Sequence, residues 1–241
     1  MADDLLQRLQ AALVAAGLAP TSLDIAPEDD PEGRTLAAGL VLLYPHHAPD
    51  QPEPSPHLVL TRRTTALRRH SGQISLPGGR YDLDDGSLLR TALRETEEEL
   101  GVNPADLTTW GRLEPELITA SHYALAPFVA YAPSRPAFRP APAEVAEVID
   151  LPLAHILDPA THQEEVWDFQ GLPRRVSFYR HQHHKIWGAT ARILHQLEIL
   201  LDPARASVES MPGTGGQTSR RRLVPGDVWP ASVRQSTPPT P

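Results

Sequence analysis

Apolar and polar positions along the chain follow two periods, near 3.6 and near 2, and the switches between them mark out the elements. Leu5, Leu6, Leu9, Ala12, Leu13 and Ala16 recur at helical spacing, so residues 3–17 are expected to form an amphipathic helix packed on a core. Asp3 and Asp4 suit its positive end, and Gly17 with Pro20 stops it. Apolar runs at 37–44 and 57–62 predict strands, joined by a Pro- and His-rich loop from His46 to Pro56. After the Pro77-Gly78-Gly79 turn, Leu89, Ala92, Leu93, Thr96 and Leu100 form the stripe of a second helix, with Gly101 as its C-cap. Strand patterns follow at 108–113, 124–131 and 144–151, the last two separated by a proline-rich loop from Pro133 to Pro142. Residues 164–180 read as a hairpin turning at Gly171. Ile186, Thr190, Ile193, Leu194, Leu197 and Leu201 then make the buried side of a closing helix. From Pro203 to Pro241 periodicity is lost, and the Pro, Ser, Gly and Thr content predicts a disordered tail. The expected body is one mixed α/β domain over residues 1–202.

Composition narrows the function classes. The 241 residues suffice for one substantial core. A formal net charge of −8 argues against nucleic acid as a general partner, which needs a positive footprint. The lack of cysteine excludes disulfides, thiolate zinc sites and cysteine nucleophiles. The first ten residues, MADDLLQRLQ, are acidic where a signal peptide would be basic, and no apolar run reaches membrane-spanning length. A soluble cytoplasmic protein without a membrane partner is the expectation, its oligomeric state left open.

Three clusters bear on chemistry. Glu95, Glu98 and Glu99 stand at i, i+3 and i+4, on a face of the second helix away from its apolar stripe. At about 6 Å and an effective dielectric of roughly 20, each carboxylate pair costs about 3 kcal/mol before screening. Arg94, four residues before Glu98, relieves part of this; a hard divalent cation such as Mg²⁺ or Mn²⁺ would relieve more. Taken alone, the run is read as a solvated acidic face, because glutamate-rich helix surfaces are common. Upstream, Arg62, Arg63, Arg68, Arg69 and His70 gather in a short span of an otherwise acidic chain. Arginine suits phosphate because its planar fork donates two hydrogen bonds at once, although a solvated basic loop has the same composition. His181, His183 and His184 form a third group, read as structural because no further ligand adjoins them in the sequence.

Gly79, Arg94-Glu95, Glu98-Glu99 and Gly101-Val102 resemble the signature of the Nudix hydrolases, whose loop–helix–loop binds divalent metal and cleaves diphosphates attached to a nucleoside. Asp85 stands where that signature usually has Glu, one residue further from Arg94, and Thr96 replaces the usual aliphatic. Leu60-Thr61-Arg62, Leu67-Arg68, His70, Gly72 and Pro77-Gly78-Gly79 are similar to the extra motif before the signature in the coenzyme A pyrophosphatase branch. The run at 91–95, the added residue before Arg94 and the stretch 186–194 are similar to that branch too, with Gln73 where it often has Glu.

The resemblance implies an α/β/α sandwich with a mixed sheet and the glutamate helix beside its cleft. It implies Mg²⁺ or Mn²⁺ held by Glu95, Glu98 and Glu99, Arg94 orienting a ligating glutamate, and Gly78 and Gly79 allowing close backbone approach. Arg62, Arg68, Arg69 and His70 would contact substrate, and Glu98, Glu144 or Glu147 would take a proton from the attacking water. The implied reaction is hydrolysis of coenzyme A or acyl-CoA to 3′,5′-ADP and a phosphopantetheine, the extra 3′-phosphate giving the basic cluster a task. Two alternatives stay open: a Nudix enzyme for ADP-ribose or NADH, and a non-catalytic nucleotide-binding module. Trp187 is read as core packing, with base stacking as its alternative.

Overall fold

A computed structural model describes residues 2–19, 32–47, 53–65, 72–119, 121–169 and 171–207. Its elements are α1 (Ala2–Ala15), β1 (Thr35–His46), β2 (Ser55–Arg63), β3 (Ile74–Ser75), β4 (Gly78–Arg80), α2 (Leu88–Leu100), β5 (Thr108–Arg112), β6 (Glu116–Ile118), β7 (Tyr123–Tyr131), β8 (Val145–Pro152), β9 (His162–Phe169), β10 (Leu172–His181), β11 (His184–Trp187) and α3 (Gly188–Leu201).

β1 explains the architecture. Its side chains alternate between faces, so Val41 and Leu43 enter one core while Ala38, Leu40, Leu42 and Tyr44 enter another. The first core is closed by Leu6, Leu9 and Leu13 of α1 and by Ile193, Leu194 and Leu197 of α3. The second is closed by Leu88, Ala92 and Leu100 of α2. Helices on both faces of one sheet make the α/β/α sandwich. The sheet is mixed: β1 runs parallel to β7 from Thr35↔Tyr123 to Leu43↔Tyr131, and antiparallel to β2 and β4. β8 lines the far side of β2, while β5 and β6 pair with β7. β9, β10 and β11 form a separate three-stranded sheet leading into α3.

Three sequence expectations need correction. Gly78 and Gly79, expected to turn with Pro77, open strand β4 instead, because their missing side chains let them pair closely with Gly39 and Ala38 of β1. Ile186 and Trp187 are strand rather than helix: they pair with Tyr179 and Phe178, and α3 starts only at Gly188 (φ 67). Tyr179 and Phe178 are fully buried partners, and that pairing overrides the helical spacing of the sequence. Trp187 is half-buried and packs edge-on against Trp167 with ring centroids 5.3 Å apart. The body also continues past residue 202. Pro203–Ser207 form a 3₁₀ turn, and Arg205 bonds Glu198 Oε1 at 2.7 Å and the Leu157 carbonyl at 2.6 Å. The rest of the expected tail lies outside the described residues.

Candidate active site

The site is built where β4 meets α2. β4 is pinned to β1 by the pairs Ala38↔Gly79 and Gly39↔Gly78. Gly78 has φ 151, and a Cβ there would overlap the carbonyl of Ala38. A Cβ on Gly79 would overlap the carboxylate of Glu95. Two adjacent glycines thus let the helix carboxylates close onto the β4 backbone, and the Gly78 N–H points at Glu99 Oε2, 3.4 Å away.

Local chemistry fixes where α2 begins. Asp82 and Asp85 cap the intervening 3₁₀ turn reciprocally, Gly86 takes a left-handed φ of 71, and the Ser87 hydroxyl accepts from the Arg90 N–H at 3.3 Å. Asp85 is buried, and its oxygens are taken up inside the protein. It accepts from Arg94 Nε at 2.6 Å, Arg94 Nη2 at 3.0 Å, the Thr91 hydroxyl at 2.8 Å and its own turn's Asp82 N–H at 3.1 Å. The guanidinium of Arg94 holds this carboxyl down to about 2. With two of its nitrogens on Asp85, Arg94 turns Nη1 toward Glu95 Oε1 and Glu98 Oε2, each at 3.0 Å. Asp85 therefore orients the arginine that orients the glutamates.

Burial separates the three glutamates. Glu99 is 3% exposed, Glu95 is half-buried and Glu98 is open to solvent. Burial pushes Glu99 up to about 7, against the pull of Arg63, whose Nη1 is 3.4 Å from Glu99 Oε1, and of the Gly78 N–H. Burial pushes Glu95 up as well, with Arg94 opposing. Glu144 adds negative potential at both Glu95 and Glu99. Glu95, Glu98 and Glu99 offer oxygen donors of the kind a hard divalent cation takes.

Glu144 arrives through the proline-rich loop. Arg139 N–H donates to the Leu100 carbonyl at 2.7 Å and Ala141 N–H to the Glu99 carbonyl at 2.9 Å, so the loop takes up carbonyls left open at the end of α2. Thr64 N–H then holds the Glu144 carbonyl at 2.9 Å.

Glu147 does not join this group. β2 and β8 pair Leu60 with Ile149 and Arg62 with Glu147, which puts these four on the sheet face toward α1 and α3. There Arg62 Nε bonds Glu147 Oε2 at 2.7 Å. Arg63 projects to the opposite face, toward α2. Of the residues expected from the sequence, Glu95, Glu98, Glu99, Arg94, Gly78, Gly79 and Glu144 come together. Glu147 and Arg62 pair with each other elsewhere, and Arg68, Arg69 and His70 lie outside the described residues. Arg63, absent from the expected substrate contacts, faces the buried glutamate. Strand alternation already implied that only one of Arg62 and Arg63 could reach it.

The NUDIX domain family model matches residues 33–170. The chain is 40% identical over 145 residues to an uncharacterized Nudix hydrolase NudL of Photorhabdus laumondii, covering 60% of this chain and 77% of that protein. A Yersinia pestis protein of the same description is 38% identical over 144 residues, covering 60% and 72%. Among solved structures, the Nudix hydrolase RenU of M. smegmatis is similar with a TM-score of 0.42 and 22% identity, over 54% of this chain and 80% of that one. A MutT/nudix family protein from Enterococcus faecalis gives 0.43 and 19%, over 73% and 61%. Among the described residues no helix is long and apolar enough to cross a membrane.

Proposed function

The chain belongs to the Nudix family, and from that premise we propose that it is a metal-dependent pyrophosphatase of coenzyme A or acyl-CoA, yielding 3′,5′-ADP and (acyl-)4′-phosphopantetheine. Membership gives the coarser statement, a hydrolase of pyrophosphate bonds in small nucleotide derivatives. The observation that carries the reading is the pair Glu95 and Glu99, half-buried and buried, which close onto Gly79 and the Gly78 N–H with Glu144 adding negative potential. The motif over 60–79, which leads from β2 into the glycines of β4, supports coenzyme A as the substrate.

In this reading Glu95, Glu98 and Glu99 hold Mg²⁺ or Mn²⁺. When bound, such an ion neutralises charge on the phosphate oxygens and makes water more acidic. Arg94 fixes the rotamers of Glu95 and Glu98 and is itself fixed by Asp85, so the donor set is ordered before substrate arrives. Arg63 balances Glu99 and presents guanidinium N–H groups to a phosphate entering beside it. Glu144 is solvent-exposed on a loop anchored to Glu99, a position from which it can take a proton from attacking water. Glu98, also exposed, is the other acceptor. Arg68, Arg69 and His70 keep their proposed part in holding the 3′-phosphate.

The test is product analysis with coenzyme A and Mg²⁺ or Mn²⁺. The expected products are 3′,5′-ADP and phosphopantetheine, with coenzyme A cleaved faster than its 3′-dephospho form. Faster cleavage of ADP-ribose or NADH would overturn the substrate assignment. Loss of all cleavage with metal present would overturn the enzyme.

A further inference from the structure

The hairpin joining β10 to β11 carries side chains the proposed hydrolysis does not use. His181 pairs with His184 across it, leaving a turn of Gln182 and His183 in which Gln182 takes φ 53. This tight turn places the His183 and His184 rings side by side, centroids 3.8 Å apart. Opposite them is Glu147 of β8, whose Oε1 lies 3.1 Å from His184 Nε2. One donor atom from each of Glu147, His183 and His184 falls within 4.8 Å of the other two.

We propose that Glu147, His183 and His184 bind a divalent transition metal, with Zn²⁺ the fitting ion. Two imidazole nitrogens and one carboxylate oxygen make a borderline donor set suited to Zn²⁺ rather than to the all-oxygen sphere of Mg²⁺. The 3.1 Å between Glu147 Oε1 and His184 Nε2 is already close to the roughly 3.4 Å between ligands of a tetrahedral site with bonds near 2.0–2.2 Å, and the exposed His183 supplies the third donor within 4.8 Å. The outer contact is already present. Arg62 Nε holds Glu147 Oε2 at 2.7 Å, leaving Oε1 for the metal. Three protein ligands leave a coordination position for water or an exogenous group. The site lies across the sheet from Glu95, Glu98 and Glu99, because Arg62 and Glu147 share the face of Leu60 and Ile149. Its evident effect is to clip the β9–β11 sheet to β8 of the main sheet.

The experiment uses the full chain, stripped with chelator and held in excess Mg²⁺ so that the glutamate helix is saturated. Calorimetric titration with Zn²⁺ alone is expected to show one tight equivalent and a rise in Tm. His183→Ala changes an exposed turn residue and is expected to weaken that equivalent by about tenfold or more and to remove the Tm rise. Glu147→Gln is expected to do the same, while Glu98→Gln leaves Zn²⁺ uptake unchanged. Absence of uptake by the wild-type chain in excess Mg²⁺ would overturn the proposal. So would uptake undiminished in His183→Ala; that variant decides the matter alone if Glu147→Gln fails to fold.

Discussion

Asp85 and Arg94 are joined by two parallel hydrogen bonds, Nε to Oδ1 at 2.6 Å and Nη2 to Oδ2 at 3.0 Å. The pair ties the capped turn before α2 to the middle of the helix. Asp85→Asn keeps the shape and removes the charge. It is expected to cost about 1–3 kcal/mol of stability and to lower kcat by roughly 10- to 100-fold through misplaced Glu95 and Glu98. Urea unfolding and steady-state kinetics on one preparation check both. Arg94→Lys should not rescue turnover, because a single ammonium cannot span Asp85, Glu95 and Glu98.

Glu98 and Glu99 should respond differently to the same substitution. Glu98→Gln alters an exposed side chain and is expected to abolish turnover with Tm unchanged. Glu99→Gln also stops turnover, but it relieves a buried charge beside Glu95 and Glu144, so the metal-free variant should melt no lower than wild type. Thermal melts in chelator, paired with activity in Mn²⁺, separate the two. Wild-type rates from Glu98→Gln at saturating metal would remove that residue from the metal set.

The neighbouring glycines divide in the same way. An alanine at Gly78 meets backbone at a φ of 151, where nothing nearby can yield, and is expected to cost about 1–3 kcal/mol or more. An alanine at Gly79 meets the movable end of Glu95. Stability should change by less than about 1 kcal/mol, while kcat falls by tenfold or more as Glu95 is pushed aside. Equal damage to stability at both positions, measured by denaturant melts, would contradict this reading of the two glycines.

Much of the sandwich was legible because its signals are periodic. The stripe of α2 and the apolar runs of β1, β2 and β7 each specify an element and its buried face. The glutamate cluster was legible for the same reason, since helical spacing alone brings Glu95, Glu98 and Glu99 together. What escaped depends on relations across the sheet. Choosing between Arg62 and Arg63 requires knowing which face α2 covers. Glu147 meets His183 and His184 only through the packing of two sheets, and no local pattern reports that distance. β11 was hidden because IleTrpGlyAla continues the spacing of α3, while its strand pairing is decided by Phe178 and Tyr179 on the preceding strand.

Arg62 and Arg63 give a direct test of that choice. Arg63→Ala removes the guanidinium beside Glu99 and is expected to reduce kcat/KM by about 10- to 100-fold, a loss of roughly 1.4–2.7 kcal/mol in transition-state stabilisation. Arg62→Ala breaks its contact with Glu147 on the other face and should leave kcat/KM within about threefold of wild type. Kinetics of both variants with one substrate decide the matter. A larger loss for Arg62→Ala would return that residue to the substrate path.

Far from the site, Glu198 ties α3 to the end of the described chain and gives the fold a pH dependence of known sign. Burial pushes its carboxyl up, but His195, the Tyr179 hydroxyl at 2.6 Å and Arg205 at 2.7 Å outweigh this and bring it down to about 2. The unfolded chain keeps an ordinary glutamate near 4.5. Between these values the unfolded state holds the extra proton, so the contribution is complete above about 4.5 and is lost as pH falls toward 2. The full effect is roughly 3 kcal/mol. In Glu198→Gln the contacts have no charge to lose, so the stability gap between wild type and variant should shrink steadily as pH falls from 5 to about 2.5. Urea titrations across that range measure the gap, and a gap independent of pH would show that neutral contacts, rather than the carboxylate, hold α3 to Arg205.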